Sequence, residues 1–247
     1  MNNTITTITS WLAGGLLFTT LAAQAQTRFS VGPRLGLNVS TAPYKSNVPY
    51  GLLRTYSTGY LAGLEAGVAG NLGLGHVAVQ PAVLYSQKGF TIHDADLGSF
   101  SSEQRDDTYR LHYLTIPLSF AFTQHTDGQG VQVAVGGYLG FLLGGKFQGT
   151  TTYGGGYYNY GSTPTATRTV SYAGDVSTTQ LSSTTFYSRG TDAGLQGSIG
   201  YRYGGALLQV GYSLGLRELG YQSLTFNTSY YNRAFQASLT YLFGPKD

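Results

Sequence analysis

The sequence predicts an all-β fold, an eight-stranded antiparallel up-and-down transmembrane β-barrel with short periplasmic turns and long extracellular loops, and three observations predict it. Eight stretches alternate apolar with polar or small residues, as a strand between lipid and a polar lumen must. The connections between them are alternately short and long. Only 10% of the 247 residues are charged while Gly numbers 36 and Tyr 21, against roughly 25% charged in ordinary soluble domains. So few charges cannot cover a water-facing exterior.

The N-terminus reads as an export signal. Trp11 to Ala23 is the apolar run WLAGGLLFTTLAA, and Ala23 and Ala25 are the small residues a signal peptidase requires, so residues 1–25 are expected to be removed. Met1 to Ser10 contains no Lys or Arg, and the competing reading is a short buried helix. The mature domain is then 26–247. No later run approaches the ~20 apolar residues of a membrane helix, so any crossing must be made by strands.

The eight segments follow in order. In the first, Phe29, Val31, Pro33, Leu35, Leu37 and Val39 share one face, and Arg28, Ser30, Gly32, Arg34, Gly36, Asn38 and Ser40 the other. The second, Thr58 to Leu72, sets Tyr60, Ala62, Leu64, Ala66, Val68 and Leu72 against Gly63, Glu65, Gly67 and Asn71. The third, His76 to Lys88, opposes Val77, Val79, Pro81, Val83 and Tyr85 to Ala78, Gln80, Ala82, Ser86 and Lys88, with Leu84 on the polar side. The fourth, Tyr109 to Thr123, aligns Leu114, Ile116, Leu118, Phe120 and Phe122. The fifth, Val131 to Gln148, aligns Val131, Val133, Val135, Leu139, Phe141, Leu143 and Phe147, and Tyr138 and Leu142 blur it. The sixth aligns Ala193, Leu195, Ile199, Tyr201 and Tyr203 against Asp192, Gln196, Ser198 and Arg202. The seventh aligns Ala206, Leu208, Val210, Tyr212, Leu214 and Leu216, and the eighth Phe235, Ala237, Leu239, Tyr241 and Phe243. Pro81 and Pro117 fall inside strands, where each removes a ladder donor; bulges are expected there.

Connections after segments two, four and six (Gly73 to Gly75, Gln124 to Gly130, Gly204-Gly205) are short and contain Gly, as tight hairpins need. Those after one, three, five and seven (Thr41 to Ser57, Gly89 to Thr108, Gly149 to Gly190, Glu218 to Tyr231) are long. Short turns belong to the periplasmic side, which puts both termini there. The Tyr- and Gly-rich loop 149–190 is low in complexity and is expected to be mobile and to bury no core.

Pieces of the chain resemble a known family. VQPAVLYSQKGF (Val79 to Phe90), LHYLTIPLSFAF (Leu111 to Phe122), GGYLGFLLGGK (Gly136 to Lys146) and NRAFQASLTYLFG (Asn232 to Gly244) are similar to the PorT-like outer-membrane β-barrel family, in order and spacing. The resemblance implies an eight-stranded barrel in the cell outer membrane. For function it implies little, since one founding member serves secretion and most relatives have no assigned role, and it implies no catalytic residue.

Chemistry-bearing residues are sparse. There is no Cys, hence no disulfide or thiolate site, and the scattered Lys and Arg at net charge +3 form no stripe for nucleic acid. His76, His93, His112 and His125 sit on separate segments without the i, i+3 or i, i+4 spacing of metal ligands. Gly140-x4-Gly145-Lys146 mimics a phosphate-binding loop, but Phe147 replaces the Ser/Thr. Asp94, Asp96, Glu103, Asp106 and Asp107 do not match a Ca²⁺-loop spacing and read as a solvated acidic loop. His93 with Asp94, or His112 with Ser101, could be cast as a rim acid–base pair, yet no nucleophile, base and orienting group assemble around either. No catalytic, cofactor-binding or metal residue is therefore expected. A soluble lipocalin-like carrier would hide its apolar rows inside and would not alternate its loop lengths.

Three structural sites are expected. Phe29, Phe120, Phe122, Tyr203, Tyr241 and Phe243 should form a periplasmic aromatic girdle. Phe235, Leu239, Tyr241 and Phe243 resemble the C-terminal signal read by the outer-membrane assembly machinery. Arg34 and Glu65 should form a lumenal ion pair: pairing Ser40 with Thr58 sets position 34 opposite 64, and two mid-wall charges must point away from lipid. The function expected is structural, surface-interacting or secretion-accessory, with small-solute transport or a rim enzyme as the alternative. The partners are outer-membrane lipid, lipopolysaccharide and the assembly machinery; the ligand of the surface loops is not specified by sequence.

Overall fold

In the computed structural model, described over residues 28–47, 54–97, 102–155, 158–173, 185–220 and 227–244, the chain is all β. Among the described residues twelve strands run β1 (Arg28–Thr41), β2 (Tyr44–Asn47), β3 (Arg54–Leu74), β4 (Val77–Leu97), β5 (Ser102–Thr123), β6 (Gly130–Gly155), β7 (Tyr158–Ala173), β8 (Thr185–Arg189), β9 (Thr191–Tyr203), β10 (Ala206–Gly215), β11 (Asn227–Tyr230) and β12 (Arg233–Tyr241). Eight of them close a ring, β1-β3-β4-β5-β6-β9-β10-β12 and back to β1, every pair antiparallel. Closure removes every sheet edge from the lipid zone, as a membrane strand requires. The expected signal peptide, residues 1–25, lies outside the described residues.

The alternation sorts the side chains as expected. Leu35, Leu37, Leu64, Val68, Val83, Leu118, Val133, Ile199, Val210 and Leu239 all point outward. Asn38, Glu65, Ser86, Thr115, Ser119, Gln132, Asp192, Gln209, Ser213 and Thr240 are buried inside. The short turns are tight: two residues separate β3 from β4 and β9 from β10, and Gly75 and Gly204 supply the positive φ (67° and 57°) that such turns need.

Several expectations are corrected. The stretch Gly89 to Thr108 is no loop: β4 and β5 stay paired up to Leu97 and Ser102. The stretch Gly149 to Gly190 is largely strand, with β7 on β6 and β8 parallel to β7, and Val170 from it is buried in a core. Above the ring β6 exchanges its neighbour β9 for β7, so the wall continues outward as an extracellular sheet. The first and last long connections likewise pair, β2 with β11.

The prolines make no bulge. The β3–β4 register continues unshifted from Ala69/Ala82 to Leu72/Val79, with the ladder interrupted where Pro81 faces Gly70, and β4–β5 is interrupted in the same way where Pro117 lacks its donor. A local gap in the ladder costs less than a register shift that would flip every later side chain. The bulges of the ring lie instead between Tyr60 and Glu65 and between His112 and Tyr113. Finally, Ser40 pairs with Leu61, not Thr58, so Arg34 faces Gly67 and Glu65 faces Gly36. β3 continues upward to Arg54 along β4, so Thr58 is not where the strand begins, and the β1 register lies three residues from the expected one.

Candidate functional site

The lumen is stacked in tiers. At the periplasmic end a cavity of about 490 Å³ opens outward, lined among others by Arg28, Ser30, Asn71, Thr123, Gln129 and Arg202. Above it, amides cross the barrel: Gln80 Nε2 donates to Gln132 Oε1 (2.8 Å) and Asn71 Oδ1 (3.1 Å), Gln209 Nε2 to Gln80 Oε1 (3.3 Å), and Gln196 Nε2 to Ser119 Oγ (2.8 Å). The two voids beside this layer measure about 20 Å³ each, room for a single water. Asn and Gln suit this level because each offers both donors and an acceptor, so a ring of them can satisfy itself.

The Arg34 and Glu65 side chains meet just above. Arg34 Nε lies 3.3 Å from Glu65 Oε1, and Ser86 Oγ donates to Glu65 Oε2 at 3.1 Å. The contact forms diagonally across β1 and β3 even though the register differs from the expected one. Its two nearest atoms are not aligned as a hydrogen bond, so it is a charge contact first.

Next comes a charge centre that sequence reasoning did not assemble. Asp192, fully buried, receives Asn232 Nδ2 (2.9 Å), Tyr138 OH (3.2 Å) and Lys88 Nζ (3.4 Å) on one oxygen, Oδ2. Lys88 Nζ also sits over the rings of Tyr138 (4.5 Å) and Tyr113 (5.5 Å). The negative faces of two rings and one carboxylate thus replace the water of a fully desolvated ammonium. The signal was present: Lys88 and Asp192 both stand on inward rows, and Tyr138 breaks its own row. Alternation gives the face of a residue; it does not give which residues meet across a closed ring.

Above the charge centre the lumen turns apolar. Phe90 stacks on Tyr109 (4.9 Å) and Tyr109 on Phe147 (5.2 Å), Tyr230 leans on Phe90 (5.3 Å), and Leu111, Leu219 and Val170 close around them. Tyr230 OH reaches Ser188 Oγ at 2.6 Å. This corrects the placement of Phe147 in the outward row: it is buried. The bulge at His112/Tyr113 shifts β6 so that Leu143 stays outward while Phe147 turns in.

The remaining sequence candidates are dispersed. The six girdle aromatics, Phe29, Phe120, Phe122, Tyr203, Tyr241 and Phe243, stand outward near the short turns, and the Phe235, Leu239, Tyr241 and Phe243 row faces outward along β12 and just beyond. His93 bonds Asp106 rather than Asp94, His112 bonds Tyr85 OH (2.6 Å), His76 the Thr123 carbonyl (3.0 Å) and His125 that of Gln129 (3.1 Å). Ser101 lies outside the described residues. Gly140 to Lys146 is strand, not a phosphate loop.

A family model for outer membrane protein beta-barrel domains matches residues 23–221. Among solved structures the chain is similar to Ail, the attachment invasion locus protein of Yersinia pestis, in complex with the heparin analogue sucrose octasulfate, at 10% identity and TM-score 0.36 over 88% of this chain and 99% of that one. It is also similar to the TodX monoaromatic hydrocarbon channel, at 10% identity and TM-score 0.29 over 91% and 92%. No curated protein matches it in sequence.

Proposed function

The chain belongs to the outer membrane protein beta-barrel domain family and resides in the outer membrane, and from that premise we propose that it is a non-enzymatic scaffold that presents its extracellular sheet as an interaction surface. One observation carries the reading: above the periplasmic cavity the lumen is filled. The glutamine layer, the Lys88–Asp192 centre and the Phe90–Tyr109–Phe147–Tyr230 stack lie in series along the barrel axis. A solute would have to break all three. Eight strands enclose an interior that side chains can fill, and here they do. What the barrel offers its surroundings is then its outside, lipid-facing below and sheet-like above.

Within the family we read it as PorT-like, on the VQPAVLYSQKGF and LHYLTIPLSFAF pieces, which favours a surface-interaction or secretion-accessory role and insertion by the outer-membrane assembly machinery. Planar-bilayer recording tests the filled lumen. Reconstituted protein is expected to add no conductance to that of the bare lipid; stable single-channel steps would overturn this reading in favour of solute transport.

A further inference from the structure

We propose that Arg110 and Lys146, side by side on the outer wall at the extracellular edge of the apolar belt, bind the phosphate of an outer-leaflet glycolipid, the phosphorylated disaccharide of lipopolysaccharide. The two residues are direct cross-strand partners on β5 and β6, and both are exposed. Directly opposed residues have Cα atoms about 4.5–5.5 Å apart, and like charges placed so are destabilising. Only 14 of 247 residues are Lys or Arg, so two of them opposed without an acid between call for an anion from elsewhere. Neither has an ion-pair partner among the described residues. The nearest outward carboxylate on the two strands, Asp106, stands further from the membrane and is taken by His93.

Position identifies the anion. Arg110 continues the outward row of β5 that begins at Phe122 near the periplasmic turn. Ten to twelve residues at about 3.3 Å each, tilted by about 40°, rise roughly 25–30 Å, the height of a barrel's apolar band. Leu143, which precedes Lys146 on the outer face of β6, is outward and apolar. Acyl chains therefore end at this level and headgroup phosphates begin. Tyr85, stacked on His112 (5.8 Å) with its hydroxyl on Nδ1, sits just beneath, an amphipathic ring of the kind that marks the interface. A guanidinium can grip two phosphate oxygens at once while the ammonium adds a compact second charge.

This inference rests on the outer-membrane setting of the wall and not on the filled lumen. The test titrates the detergent-solubilised full barrel with bisphosphorylated lipid A, dephosphorylated lipid A and inorganic phosphate, comparing the wild type with Arg110→Gln/Lys146→Gln and with the distant control Arg217→Gln. The wild type and the control are expected to bind the bisphosphorylated lipid about tenfold or more tighter than the dephosphorylated one, and the double variant to lose that preference. Binding of both lipids alike by the wild type, or an unchanged preference in the double variant, overturns the proposal, as does inorganic phosphate binding as tightly as the lipid. Melting temperature supplies an independent sign. Relieving the repulsion should raise the double variant's Tm above wild type in neutral detergent, and the order should reverse with lipid A present; the same order in both media refutes the site. Should the barrel prove soluble without detergent, the membrane reading itself has failed, which is a different result from the loss of phosphate preference.

Discussion

The lower and upper halves of this barrel obey opposite rules. In the lower half Gln80, Ser119 and Gln132 point inward while Val79, Leu118 and Val133 point out; in the upper half Phe90, Tyr109 and Phe147 point inward while His93, Arg110 and Lys146 point out. The backbone is the same, with β4, β5 and β6 running unbroken through both. What changes is the solvent outside. Lipid surrounds the lower half, so apolar side chains lose nothing by facing outward, whereas water surrounds the upper half and drives them inside. The inversion falls at Lys88 and Asp192, the level where the wall leaves the bilayer's apolar zone.

If that level is a true junction, breaking it should have the largest effect. Asp192→Leu leaves Lys88 as an uncompensated buried ammonium and should destabilise the barrel by about 4 kcal/mol, within the 3–5 kcal/mol of broken buried pairs. The double change with Lys88→Met replaces both charges by apolar groups of similar bulk and should restore most of the loss. Urea unfolding in lipid vesicles measures both. A double variant as unstable as the sum of its singles would show that the two residues do not act as a pair.

The inversion also explains which parts of the fold were legible in the sequence. Every ring strand was visible, because in the lipid zone the apolar phase of the alternation is continuous from Phe122 to Leu114 and, but for Gly137, from Val131 to Leu143. The upper strands alternate just as regularly. In KGFTIH the apolar residues Phe90 and Ile92 share the phase of Lys88, which is the inward phase, so a search for one continuing outward row stops at Tyr85 and reads the rest as loop. Tyr109, Leu111 and Tyr113 disappear from the fourth row for the same reason. The inward-facing Arg34 and Glu65 were placed together because they lie on neighbouring strands, whereas Lys88 and Asp192 belong to β4 and β9 and meet only across the lumen. Nor does sequence announce register: β3 extends upward to Arg54, and the start of a strand cannot be fixed when its flanks also alternate.

A charge placed outward on each half sharpens the contrast. Leu118 stands outward midway along the apolar row of β5, and Thr150 stands outward and exposed on the extracellular part of β6. Leu118→Arg should cost about 3 kcal/mol, within the range for a cation at the bilayer midplane. Thr150→Arg should stay within about 0.5 kcal/mol of wild type, as surface substitutions do. Equal costs for the two, read from the same vesicle unfolding curves, would erase the distinction between a lipid-facing and a water-facing wall.

The smallest effect is expected at Arg34 and Glu65, the charge contact inside the lower half. Its 3.3 Å approach lacks hydrogen-bond alignment, Glu65 has a second donor in Ser86, and Arg34 borders the two small voids of the amide layer. Each charge therefore keeps some compensation when the other is removed, unlike Lys88 without Asp192. Glu65→Gln alone should destabilise more than Glu65→Gln with Arg34→Gln, because the lone arginine retains its desolvation cost while the double variant only extends the amide layer already formed by Gln80, Gln132 and Gln209. The coupling should be about 1 kcal/mol, near the lower end of values for contacting pairs. Unfolding of the two singles and the double in one lipid closes the cycle. Additive losses would mean that each charge is solvated on its own among the amides, and the lower lumen would then be a wet polar interior with no pairing at all.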